Sequence, residues 1–82
     1  MSGTYLHIGG QYVVLRSSVA GIFDIDNTTS SRWTREMLAS AEKNGEVINA
    51  AEDLPRSFVL CEEGGVRRVY LSQLSPAALQ RR

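Results

Sequence analysis

Val19-Ala20-Gly21-Ile22-Phe23-Asp24-Ile25, then Asp26-Asn27-Thr28-Thr29-Ser30-Ser31, then Trp33, Met37, Leu38 and Ala41 at helical spacing form the stretch that decides the fold. The first seven residues are apolar at odd and even positions alike, as in a strand covered on both faces. A helix is the expected cover for one face, and a second subunit is the candidate for the other. The polar run offers turn and N-cap residues, so the spacing predicts a helix from about Ser31 to Asn44. Gly45, just past Lys43 and Asn44, is the residue type that closes a helix in a left-handed C-cap.

Working outward, Tyr5-Leu6-His7-Ile8 and Tyr12-Val13-Val14-Leu15 read as two strands of a hairpin around Gly9-Gly10-Gln11, residues tolerant of positive φ. Beyond the helix, Val47-Ile48-Asn49 is a short strand and Glu52-Asp53-Leu54-Pro55 a connection. Ser57 to Cys61 is a strand entered through proline. Glu62-Glu63-Gly64-Gly65 turns the chain into a last strand, Val66 to Ser72, and Ser75-Pro76 starts a short helix. The expected fold is α+β: a small, twisted, mostly antiparallel sheet with one central helix and a short C-terminal helix, in a single domain spanning residues 1–82.

A core of this size contributes a net stability of only roughly 3–5 kcal/mol, so small folds add disulfides, metals or subunit association. Cys61 is the only cysteine and His7 the only histidine, which excludes an internal disulfide and an ordinary four-ligand zinc site. No metal or cofactor site is expected, and association is the remaining aid. Met1-Ser2-Gly3-Thr4 has no basic region leading into an apolar stretch, and no apolar run approaches the roughly 20 residues that span a bilayer, so a cytoplasmic protein is expected. Nine Lys plus Arg balance nine Asp plus Glu, which removes a net electropositive field. All the basic residues except Lys43 are arginine, the type suited to bidentate contact with phosphate, carboxylate or a guanine edge.

The sharpest motif lies at the end of the deciding strand. Gly21 to Thr28 resembles the opening motif of haloacid-dehalogenase-like phosphatases, an apolar strand running into Asp-x-Asp-x-Thr. That resemblance would make Asp24 a nucleophile toward phosphate and Asp26 an acid and base, with magnesium against the carboxylates. The same family needs a larger parallel sheet, a phosphate-neutralising lysine and a late acidic pair, and here Lys43 is the only lysine. The simpler reading is that the two aspartates end a buried strand and open a polar loop. No enzymatic activity is expected.

The remaining candidates are structural or electrostatic. Gly9-Gly10 lacks the following helix and lysine of a phosphate cradle. His7 alternates with Leu6 and Ile8 and belongs to a surface or an interface. Cys61 sits in an apolar strand before acidic residues, a setting that suppresses thiol reactivity. Arg32 and Arg35 fall in the first turn of the helix, where positive charge opposes the macrodipole unless a negative partner offsets it. Arg67-Arg68 must point to opposite sheet faces and, with Arg56 before the preceding strand, would make an arginine-lined edge.

One ordered set of segments covers nearly the whole chain: Tyr5 to Gly10, Gly21 to Asp26, Thr34-Arg35-Glu36, Ala41-Glu42-Lys43, Asp53 to Val59 and Val69 to Ser72. With these spacings the chain resembles the RemB branch of the bacterial RemA-like extracellular matrix regulators. The resemblance implies a cytosolic, oligomeric regulator of biofilm matrix genes. In the RemA branch it implies a ring that binds DNA, with a subunit likened to LytTR DNA-binding domains. That branch uses an arginine just before its third strand and an arginine pair after the short strand; here those places read Ser17-Ser18 and Leu54-Pro55. Arg16 and Arg56 are the nearest basic residues. The DNA-contacting set expected from the resemblance is therefore Arg16 and Arg56, with Arg32 and Arg35 as further candidates. The alternative is a protein-interaction or scaffold module that does not bind DNA.

Overall fold

A computed structural model describes residues 4–25 and 31–81. Strands β1 (Tyr5–Gly9), β2 (Tyr12–Leu15), β3 (Val19–Asp24), β4 (Val47–Asn49), β5 (Ser57–Glu63) and β6 (Val66–Ser72) combine with helices α1 (Arg32–Lys43) and α2 (Pro76–Arg81). A 3-10 turn, Arg16–Ser18, joins β2 to β3. The α+β class, the mainly antiparallel pairing and both helices agree with the sequence reading. The expected N-cap run from Asp26 to Ser30 lies outside the described residues.

The strands divide between two sheets. β1 and β2 pair only with each other, while the main sheet has the order β3-β5-β6-β4, antiparallel except for β4 against β6. Proline before β5 marks an entry into a central strand: the Arg56 amide donates to the Ser72 carbonyl at 2.8 Å and β5 then begins.

Alternation along the central strands supplies two apolar layers. Phe58 and Val69 face α1, meeting Met37 and Ala41, with Phe23, Ile25 and Leu60 packed around them. Val59 and Cys61 face the other way, against Leu6, Ile8 and Val14 of the hairpin and Leu79 of α2. The second cover of the deciding strand is thus this chain's own hairpin and C-terminal helix, which corrects the expectation of another subunit there. The physical reason is economy of length: a hairpin of two short strands plus one helical turn suffices to cover three strands of one face.

Two local devices fix the boundaries. At the end of α1 the Glu46 amide reaches the Ala41 carbonyl at 2.8 Å and the Gly45 amide reaches the Glu42 carbonyl at 3.1 Å. These are the two bonds of a Schellman cap, and Gly45 takes the positive φ of 71° that the cap requires. Gly64 and Gly65, both at positive φ, form the two-residue link between Glu63 and Val66, as a primed hairpin turn demands.

The hairpin is bolted to the main sheet by one buried hydroxyl. Ser72 Oγ donates to the Ile8 carbonyl at 2.7 Å and accepts from the Leu74 amide at 3.1 Å. Ser57 Oγ donates to the Leu74 carbonyl at 2.7 Å, which ties the segment leading into α2 to the same place.

Candidate nucleic-acid interface

Register decides where the candidate arginines lie. Asp24 pairs with Ser57, and the Ile25 amide donates to the Arg56 carbonyl at 3.1 Å, so Arg56 stands at the end of the sheet where β3 finishes. The start of α1 lies at this same end, because Trp33 packs its ring 6.0 Å from that of Phe23. Arg32 is the first residue of α1 and Arg35 lies one turn further on, both exposed. Arg16 occupies the 3-10 turn that precedes Val19, at the opposite end of β3. Five strand steps separate Val19 from Asp24, roughly 17 Å at about 3.3 Å per residue. One subunit therefore brings Arg56, Arg32 and Arg35 to one end and leaves Arg16 at the other.

The start of α1 gathers Arg32 and Arg35 at the sheet end where Asp24 closes β3. Ser31 occupies the N-cap without a side-chain cap bond, and no acidic residue sits in the first turn. The first-turn amides of α1, which the Ser31 side chain does not cap, share this terminus with two arginines, an arrangement that favours an anion. The Arg32 contact to Glu36 spans 3.8 Å between side chains 87% and 71% exposed, too long and too solvated to cancel that charge.

Arg67 leaves the expected arginine edge. Its Nε and Nη2 donate to Glu46 Oε1 at 3.0 and 2.8 Å in a half-buried pair, which pins β6 to the loop after α1. Arg68 points to the opposite face and is exposed, as alternation requires. His7 is exposed and its Nε2 donates to the Gly10 carbonyl at 3.0 Å, stapling the hairpin turn.

The aspartate motif acquires no catalytic frame. β3 is an edge strand antiparallel to β5, whereas the phosphatase resemblance would need a larger parallel sheet. Asp24 ends β3 half-buried, and Asp26 lies outside the described residues. Among the described residues no group of three or more His, Cys, Asp or Glu is placed to hold a metal, and no helix is long and apolar enough to cross a membrane.

A feature that sequence reading missed is a groove of about 360 Å³ on the face opposite α1, beyond the part of the sheet that the hairpin covers. Val13 and Leu15 wall it on the hairpin side, and Cys61, Val66 and Arg68 belong to its floor. Burial pushes the Cys61 thiol above its ordinary pKa and does the same to the Tyr70 phenol. The signal was present in Tyr12-Val13-Val14-Leu15, a run apolar on both faces that a core on one side leaves half exposed.

A small α+β domain with two apolar layers and arginines distributed to its edges is the class that these observations define. The model of the RemA-like family, extracellular matrix regulatory protein A-like, matches residues 5–82, and the chain belongs to this family. No curated protein matches it in sequence.

Proposed function

We propose that this chain is a RemB-type, cytoplasmic, homo-oligomeric regulator of extracellular matrix genes that binds DNA and has no enzymatic activity. Arg56 and Arg32 make the principal phosphate contacts, with Arg35 beside them and Arg16 completing the surface from the other end of a subunit. The observation that carries the reading is the α1 terminus: no side-chain cap from Ser31, no acid in the first turn, and Arg32 and Arg35 at the same sheet end as Arg56. Family membership supports the regulatory role. Neutral net charge makes the affinity of one subunit low, and assembly raises it by presenting the same arginines repeatedly along one duplex.

Anisotropy of a labelled AT-rich duplex, titrated with protein of known oligomer mass at several salt concentrations, tests this. The wild type should bind with an affinity that falls steeply with salt. Arg32→Ala/Arg56→Ala, and to a smaller extent Arg16→Ala, should flatten the log-log slope by about 1 for each phosphate that is no longer neutralised, at unchanged mass. Absence of binding at low salt would refute the reading. It would favour a scaffold module acting through the apolar groove, the second reading that the exposed surface around that groove supports.

A further inference from the structure

We propose that the groove beside β2 is the face on which a second copy of this chain packs about a twofold axis, with Glu63 of each copy paired to Arg68 of the other. The inference rests on the oligomeric part of the reading above and adds where the copies meet and by which charges.

The distribution of exposed apolar surface comes first. Of the large apolar side chains left exposed among the described residues, Tyr5 (59%), Val13 (53%) and Val66 (52%) line this groove. Tyr12, 41% exposed, packs its ring 6.3 Å from that of Tyr70 in the same lining. Trp33 and Leu54 are the remaining ones, and they belong to the opposite end of the sheet. About half of the surface of Tyr5, Val13 and Val66 stays open to solvent, beyond what a small molecule seated in the groove would touch. A protein surface of matching shape covers it.

Charge then selects the partner. Glu63 pairs with Val66 and Cys61 with Arg68, so Glu63 and Arg68 share one face as diagonal neighbours, with Cα atoms about 7–8 Å apart. That spacing allows an ion pair within the subunit, yet neither forms one among the described residues, although Arg67 next to them is bound to Glu46 at 2.8 Å. An isologous contact requires a patch that is its own complement. One anion and one cation flanked by apolar side chains meet that requirement, because a twofold axis sets each against the other's opposite.

The contact also completes the basic surface. Arg16 lies between Leu15 and Ser18, both of which line the groove, so the axis places the Arg16 side chains of two copies along a common rim.

Sedimentation equilibrium of the full chain, wild type against Glu63→Arg, Arg68→Glu and the double reversal, decides the matter. The wild type should form an assembly with an even number of subunits. Either single reversal places like charges together twice across the axis and should weaken pairing at least tenfold, whereas the double reversal should recover it to within about threefold. Val66→Lys should weaken pairing as the single reversals do, and circular dichroism of each variant verifies the fold. The proposal is overturned by a wild type that stays monomeric, by single reversals that assemble normally, or by a double reversal no better than the singles. Mass is read without DNA, so a failed duplex titration and a failed mass series remain separate results.

Discussion

Replacing Ser72 by Ala should cost this fold about 2 kcal/mol. The hydroxyl is buried, and it donates to the Ile8 carbonyl at 2.7 Å while accepting from the Leu74 amide at 3.1 Å. Ile8 is also fully buried, so its carbonyl would lose this donor where water does not reach. Leaving such a group unsatisfied costs about 1–3 kcal/mol. The Leu74 amide lies nearer the surface and regains a water bond, which keeps the sum toward the middle of that range. Against a net stability of roughly 3–5 kcal/mol for a core of this size, the loss is large. At about 4–8 °C per kcal/mol the melting temperature should fall by about 8–16 °C. Thermal and urea unfolding of Ser72→Ala, with the exposed Ser17→Ala as control, would measure it. The link reaches the candidate interface, because the Arg16 amide donates to the Thr4 carbonyl at 2.9 Å and the hairpin thereby carries the 3-10 turn. A Ser72→Ala protein within about 0.5 kcal/mol of wild type would refute the reasoning and leave apolar packing alone as the hairpin's attachment.

Cys61 should resist iodoacetamide in the folded protein at pH 8 and react once urea unfolds it; equal rates in the two states would contradict its burial. Its folded pKa lies above the unfolded one, so the stability linked to the protonated thiol is full below the unfolded pKa and is lost as pH rises through the folded pKa. Alkaline destabilisation should therefore be smaller in Cys61→Ala, measured by urea midpoints on either side of the thiol range. Gly45→Ala places a side chain at φ 71° with nothing within 4 Å of the new Cβ, so only backbone strain of about 1–2 kcal/mol should appear. An unchanged urea midpoint for that variant would show that the cap relaxes.

The elements were legible because their signals are local. Gly45 closes α1 through its own amide and that of Glu46, and Gly64-Gly65 sets the β5–β6 turn by φ alone. Alternation gave each strand two faces, and Arg67 and Arg68 do point to opposite sides. The candidate site was legible only as a set of residue types. That Arg32 and Arg35 open α1 followed from helical spacing, but the choice of Glu46 by Arg67 did not, since the two lie 21 residues apart.

By itself the sequence determined the order of the strands and helices, their limits to within a residue or two (β5 runs on through Glu62 and Glu63, which the sequence reading placed in the turn), the α+β class, and the exclusion of an internal disulfide. Turn chemistry and side-chain period act within a few residues, so they need no knowledge of the rest of the chain. Only the tertiary structure decided that β1 and β2 leave the main sheet to cover its second face, that β4 joins β6 in parallel, and that Arg16 and Arg56 stand at opposite ends of β3. Strand pairing is non-local: periodicity says which side chains share a face, whereas the buried contacts made by residues far apart in the chain select the neighbours, and with them the surfaces left free for a partner.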